Sequence, residues 1–584
     1  MHNQNRFRYL RFLVLSSLAF YLVFPQITHG AVAGSQDGGI GNTTHYSQFQ
    51  SSFTGGKKIN NIIYPLLSTP AIKKQGTQLT IKVDTHGKSP SGWKINLGSL
   101  EQTPVKNEYS LPVVSSKPSS SYWEKDGTVY DVTVNIPTNV PEELYDLKVA
   151  YTAGGSTVTD NQAHSVKVVK DLKKNFSFLD LTDIHVGSPR NENDPANATE
   201  AGFWDPDPNK RWLYLQKTIR EVNLQKPDFV VLTGDLMFGQ MNPKEYQYEY
   251  EEVYRMLKQL NVPVYIVPGN HDGYAQDATL TDGLKYWHNY FGPQYFSFDY
   301  GPYAHFVGLN TFDWDKVDRS GTGTVSVPTW GGQVRSEQLQ WMKEDLANNA
   351  QTAQAGQLRG LLAHNNPIFR DRDKWPDTDP EVQQYWKEYD LQHDPQTPAN
   401  LALGEKLGLK YDQLWHGEGA QQVIDLMKQY NMQVGLHGHT HVDNITKQDN
   451  ILYATTTAVE LTGKPWIGYR TFQMNNGSLD SSYIYESPDR SQPIYQNGNT
   501  TDGVMSFETE YSSPNDGTAT TQTATVSNRL NRPITLHVPF YMKKGTYTTT
   551  AGSLQQIDMN DDKQGMDVQI TIPANSSQKI TVSS

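Results

Sequence analysis

The chain has no cysteine among its 584 residues. Disulfides therefore hold nothing together, and thiol nucleophiles and thiolate metal ligands are excluded. Charge is also sparse. Asp, Glu, Lys and Arg make up 19% of the chain, and the formal net charge is -12 at pH 7. An acidic chain of this kind has no bulk attraction for a phosphate backbone, so no nucleic-acid partner is expected. Beyond the first residues no apolar run is long enough to cross a bilayer, and no internal repeat is visible. What remains is rich in Ser, Thr, Asn, Gln and Tyr, the look of an exported, β-rich protein.

The start of the chain carries the exception. Arg6, Arg8 and Arg11 precede an apolar stretch from Phe12 to Phe24, and small residues follow around Gly30 and Ala33. This is the layout of an export signal over residues 1–33. The stretch is shorter than the roughly 20 residues a spanning helix needs. The mature form is therefore expected to have no transmembrane segment, and to be secreted or attached at the cell surface. An exported chain without cysteine points to a bacterial source.

Length alone argues for three or four domains. Residues 34–55 are rich in Gly, Ser, Thr and Gln and read as a flexible leader. Residues 56–171 show alternating runs such as Leu79-Thr80-Ile81-Lys82-Val83, separated by Gly, Pro and Ser turns. That pattern predicts a β-sandwich of immunoglobulin or fibronectin type. From 172 to 486 short apolar strands alternate with amphipathic stretches, for example 210–224 and 245–260, which predicts an α/β sandwich. Residues 487–502 are rich in Pro and Asn and read as a linker. Residues 503–584 are again β and read as a second small sandwich.

Five signals stand at the ends of predicted strands in the middle segment. They are Asp183-Ile184-His185, Gly234-Asp235, Gly269-Asn270-His271-Asp272, His364 and Gly438-His439-Thr440-His441. Asp-x-His and Gly-Asp are common turn pieces when taken singly. Gly-Asn-His-Asp and Gly-His-x-His are much more specific, and all five in this order, each behind an apolar strand, point to one site. Ligand sites in open α/β sheets lie at these carboxyl ends. Imidazoles with carboxylates suit Fe, Mn and Zn, and a carboxylate can bridge two such ions. Two adjacent ions can clamp a phosphoryl group.

In these motifs the sequence resembles the calcineurin-like metallophosphoesterase superfamily over residues 175–486. The resemblance implies a four-layer α/β/β/α sandwich, flanked here by the two β-sandwiches. It implies two divalent metal ions. Asp183, His185, Asp235 and His441 would hold the first, and Asp235, Asn270, His364 and His439 the second. His271 would be the catalytic histidine, and Asp272 would orient it. The implied reaction is hydrolysis of a phosphate ester by direct attack of a metal-bridging hydroxide on phosphorus, with a small phosphate ester as partner.

The N-terminal sandwich resembles the layout of purple acid phosphatases. Those enzymes carry a Tyr three residues after the bridging Asp, whereas this chain has Phe238, so an ordinary divalent pair is expected instead of a tyrosinate–iron centre. His437, just before the last motif, could support the metal site from behind, but reads better as a strand-end histidine of the core or the surface. Arg190, Arg370 and Arg372 are candidate phosphate contacts, because guanidinium matches phosphate oxygens. The loop from 365 to 416 is expected to shape the pocket. Three readings stand on sequence: a phosphomonoesterase, a phosphodiesterase acting on phospholipid, nucleotide or wall-polymer diesters, and a surface-binding protein with an inactive domain. All eight expected site positions hold suitable residues, which disfavours the third.

Overall fold

The computed structural model describes residues 56–119, 123, 128–187, 212–238, 243–273, 284–314, 331–369, 415, 417–441, 443–459, 466–480, 492–496 and 506–584, with isolated residues between 380 and 406. The export signal, the leader, Arg190, Arg370 and Arg372 lie outside the described residues. Among the described residues no helix is long and apolar enough to cross a membrane.

The middle segment is built from two facing sheets. The first contains β1 (Ser177–Leu181), β2 (Phe229–Leu232) and β3 (Val264–Ile266), all parallel. The second contains β4 (Phe296–Tyr300), β5 (Ala304–Leu309), β6 (Leu358–Ala363), β7 (Val434–His437), β8 (Asn444–Gln448) and β9 (Ile451–Thr455), in the order β4-β5-β6-β7-β9-β8. Strand β10 (Trp466–Asn475) returns to the first sheet antiparallel to β1, and pairs in turn with β11 (Ser478–Leu479) and β12 (Gln492–Gln496). Strand β12 falls inside the stretch read as a linker. That part of it is sheet, and its composition hid the pairing.

Alternation along the strands sorts the core. Phe178, Phe229, Val231 and Phe472 face inward and meet Phe306, Leu362, Val434 and Leu436 of the second sheet. Leu179, Leu181, Val230 and Leu232 face outward against two helices, α1 (Leu213–Gln225) and α2 (Pro243–Leu257). On the far side Val307, Leu309, Leu361 and Ala363 pack against α3 (Ser336–Thr352) and α4 (Ala420–Gln429). This gives the four layers α/β/β/α. Each helix follows its buried stripe: Leu215, Ile219 and Val222 in α1, and Met342 and Leu346 in α3 with Leu339 half-buried beside them. Helix α1 stops where Lys226 turns left-handed before Pro227, which cannot continue a helix.

Both flanks are two-sheet β structures with their own cores. The N-terminal one packs Leu79, Ile81, Val132 and Val134 against Leu97, Leu147, Val149 and Val166. The C-terminal one packs Val526, Ile580 and Val582 against Leu536, Val538, Phe540 and Val568. Leu224 of α1 inserts into that second core. The Glu221 carboxylate accepts the backbone N–H groups of Ser506 and Phe507, and Lys226 pairs with Asp567 at 3.3 Å. On the N-terminal side Tyr265 donates to the Pro70 carbonyl at 3.0 Å, and Ile266 N–H to that of Ser68 at 3.1 Å.

Candidate metal centre

The five motifs meet at the carboxyl ends of β1, β2, β3, β6 and β7. Asp183, His185, Asp235 and His441 offer donor atoms that all lie within 4.8 Å of one another, and so do Asp235, His364 and His439. Asp235 belongs to both groups. Its Oδ2 lies 3.2 Å from His185 Nε2 and 3.1 Å from His364 Nε2, while its Oδ1 accepts the His271 N–H at 2.8 Å. Asp183 Oδ1 stands 3.1 Å from His441 Nε2 and 3.7 Å from His185 Nε2. His439 Nδ1 and Asn270 Oδ1 lie 3.2 Å and 3.1 Å from His364 Nε2. The structure thus brings together all seven positions expected from the sequence.

The backbone bends hard to achieve this. Asp183, His185, Asp235, His439 and His441 all have positive φ, between 41° and 72°. Such conformations cost a non-glycine residue roughly 1–2 kcal/mol each, and they concentrate where function needs them. Two glycines make room. Gly234 has φ 95°, and a Cβ there would stand 2.6 Å from His364 Nδ1. A Cβ on Gly438 would stand 1.8 Å from Thr182 Oγ1 and 2.5 Å from Asp183 Oδ2. The turn carrying His439 therefore lies against the turn carrying Asp183 only with glycine at 438.

The hydrogen bonds around the donors fix which atoms face inward. His364 Nδ1 donates to the Thr233 carbonyl at 2.7 Å, which leaves the lone pair of neutral His364 on Nε2. Asp183 Oδ2 is taken by Thr182 Oγ1 at 2.7 Å and His439 N–H at 2.9 Å, while its buried Oδ1 has no hydrogen-bond partner. Acceptor atoms converging in this way repel each other unless a proton or a metal cation sits between them. The electrostatics agree. Burial opposes charge on His364, but the Asp235 and Asp183 carboxylates outweigh it and raise its pKa to about 9. Burial, then the neighbouring His364, hold His439 well below the usual imidazole range. Burial pushes Asp183 up, yet His441, His185 and His364 hold it far below the usual carboxylate range. The site demands positive charge, and its oxygen and imidazole donors fit divalent ions.

His271 stands beside this cluster, its ring 4.5 Å from that of His185. Its Nδ1 donates to the Phe238 carbonyl at 2.5 Å. Burial lowers its pKa to about 4, against the pull of Asp235, so the ring is neutral. The orienting contact expected from Asp272 is made instead by that carbonyl. The Asp272 carboxylate accepts four backbone N–H groups: Asp235 at 3.1 Å, Leu236 at 2.8 Å, Met237 at 3.2 Å and Gly269 at 2.7 Å. Two of those donors, Leu236 and Met237, immediately precede Phe238 in the chain. Phe238 itself places an aromatic ring 6.0 Å from His185 and 5.5 Å from His271 and offers no side-chain oxygen. His437 is a core residue: it is fully buried, its Nδ1 bonds to the Ala363 carbonyl at 2.8 Å, and burial drops its pKa to about 3.

Some participants gave only a faint signal in the sequence. Asp180 of β1 is fully buried and accepts from Thr233 Oγ1 at 3.1 Å and Thr456 Oγ1 at 2.5 Å, joining the first sheet to the second beneath the donors. Arg470 and Asp443 form a second brace. The run Thr455-Thr456-Thr457 after β9 and a lone Arg inside an apolar strand were the available hints.

Residues 176–443 match the family described as calcineurin-like phosphoesterases. An uncharacterized metallophosphoesterase of Campylobacter jejuni is 33% identical over 96 residues, which is 16% of this chain and 20% of that protein. Among solved structures, the phosphopantetheinyl hydrolase of Mycobacterium tuberculosis is 13% identical at a TM-score of 0.24, covering 48% of this chain and 90% of that one. The inner-membrane-complex anchor GAP50 of Plasmodium is 12% identical at a TM-score of 0.26, covering 52% and 82%. Likenesses this low carry no activity across. The family match and the donor geometry agree on one statement: residues 176–443 of this chain are similar to the calcineurin-like phosphoesterases.

Proposed function

We propose that this protein is a metal-dependent hydrolase of phosphate monoesters, working with two divalent ions of the Fe, Mn or Zn class. Asp183, His185, Asp235 and His441 would hold one ion, and Asp235, Asn270, His364 and His439 the other. The observation that carries this reading is the convergence of imidazole and carboxylate donors around Asp235, with His271 alongside. Bound ions at such a site polarise a phosphoryl group and lower the pKa of water. The protein's own residues do the rest. Asp235 sets the spacing of the two donor groups, because both share its Oδ2. The Thr233 carbonyl keeps the His364 proton on Nδ1. The Phe238 carbonyl keeps a proton on His271 Nδ1 and turns Nε2 toward the reacting side. A phosphate dianion arriving next to that ring favours its protonated form. His271 Nε2 can then hand a proton to the departing alkoxide, the role of a general acid. No covalent phosphoenzyme is required, in keeping with the absence of cysteine.

The export signal read at residues 1–33 would place this activity outside the cell. Comparing a nitrophenyl phosphate with a bis(nitrophenyl) phosphate tests the substrate class. Faster turnover of the monoester supports the reading, and preference for the diester replaces it with a phosphodiesterase. His271→Ala is expected to lower kcat by about 100-fold or more, within the range for a general acid, and to leave metal content unchanged. Undiminished turnover would remove His271 from the mechanism.

A further inference from the structure

Arg470 lies in β10 directly opposite Asp180 of β1, the strand that runs on to Asp183. It is 2% exposed, and its guanidinium donates through Nη2 to Asp443 Oδ1 at 2.8 Å. The same oxygen accepts the backbone N–H of Thr457 at 3.1 Å. The Thr457 hydroxyl in turn donates to the His441 carbonyl at 3.1 Å. A chain of three contacts thus runs from a strand of the first sheet to the backbone of one metal-group residue. His441 has reason to need it. Its φ is 55°, and its side chain is 17% exposed, whereas those of Asp183 and His364 are 0% exposed. The other group is braced differently, through His364 and the Thr233 carbonyl.

We propose that Arg470, acting through Asp443 and Thr457, is a positioning residue for the metal group formed by Asp183, His185, Asp235 and His441, and not for the group formed by Asp235, His364 and His439. The inference rests on the metal-centre reading above. Arg470 reaches both ends of the first group: its strand neighbour leads to Asp183, and its ion pair leads to His441. A buried guanidinium bonded to a buried carboxylate resists displacement, because either partner left alone would be an uncompensated charge. Outer contacts of this kind typically change metal affinity by about 10- to 100-fold.

The test separates the two groups. Mn2+ binding is titrated on the full chain carrying His439→Ala, which spares the first group, and on the full chain carrying His441→Ala, which spares the second. Each is compared with and without Asp443→Asn. The expected result is an affinity loss of about tenfold or more in the His439→Ala background, and a change of less than about twofold in the His441→Ala background. Equal losses in both backgrounds, or none in either, overturn the proposal. If Asp443→Asn does not fold, Arg470→Lys reports on the same chain with the same expected asymmetry. A wild-type chain that takes up neither Mn2+ nor Zn2+ overturns the metal-centre reading and this inference with it. Two ions bound by the wild type, with no asymmetry in the variants, overturn this inference alone.

Discussion

Asp272 shows how one side chain can organise a site it does not enter. Its carboxylate collects four backbone N–H groups from two different turns, so the Asp235 turn and the Asn270 turn share a single anchor. Burial and the charge of Asp235 push its pKa up to about 7, against the N–H groups of Gly269, Leu236 and Met237. An unsatisfied buried N–H costs about 1–3 kcal/mol. Asp272→Ala strands four at once, and is expected to lower unfolding stability by about 3 kcal/mol or more, together with metal affinity. A denaturant midpoint equal to wild type would contradict this. The seven donors and His271 were legible in the sequence because each sits in a short motif behind an apolar strand. The anchoring role of Asp272 was not, because three of its four backbone partners, Asp235, Leu236 and Met237, lie 35 to 37 positions away. The same holds for Arg470 and Asp443, which are separated by 27 positions.

At the scale of elements, the turns matter as much as the strands. The short apolar runs around Phe178-Leu179 and Val230-Val231 were enough to predict strands, and the structure buries both of their faces. Composition alone misread residues 492–496, which gain their strand from pairing with β10. Gly438→Ala brings a methyl carbon to 1.8 Å from Thr182 Oγ1, so the turn must shift. That variant is expected to keep its fold and lose most of its metal affinity. Wild-type metal binding in Gly438→Ala would show that the two turns can separate freely.

A second element-scale prediction concerns pH. His305 of β5 is bonded to Asp299 of β4 at 2.8 Å and to Asp345 of α3 at 2.9 Å. Burial opposes its charge, but the bonds to both carboxylates prevail and raise its pKa to about 9. A raised histidine pKa contributes stability fully below its ordinary value near 6.5, and that contribution fades as pH rises through about 9. Wild type should therefore exceed His305→Gln in Tm at pH 6, and the gap should narrow by pH 9.5. A gap independent of pH would contradict the charged state of His305.

For the whole molecule, the flanking sandwiches are joined to the α/β/β/α domain by more than a tether. Leu224 of α1 is part of the C-terminal core, and Glu221 caps the first strand of that core. Coupling through a shared buried side chain makes unfolding of the two regions a common event. Leu224→Glu is expected to split a joint calorimetric transition into two. Two transitions already present in wild type would show that the domains melt independently. This docking was not legible in the sequence, since Leu224 reads only as one more apolar residue of a helix stripe.

The proposed function depends on cations among the donors around Asp235. The most direct test is the rate of nitrophenyl phosphate hydrolysis by demetallated protein, followed as Mn2+ or Zn2+ is added back and bound ions are counted. The expected result is no turnover without metal, and a rate that reaches its full value only as the second ion per chain is bound. Turnover that survives complete demetallation would contradict the account.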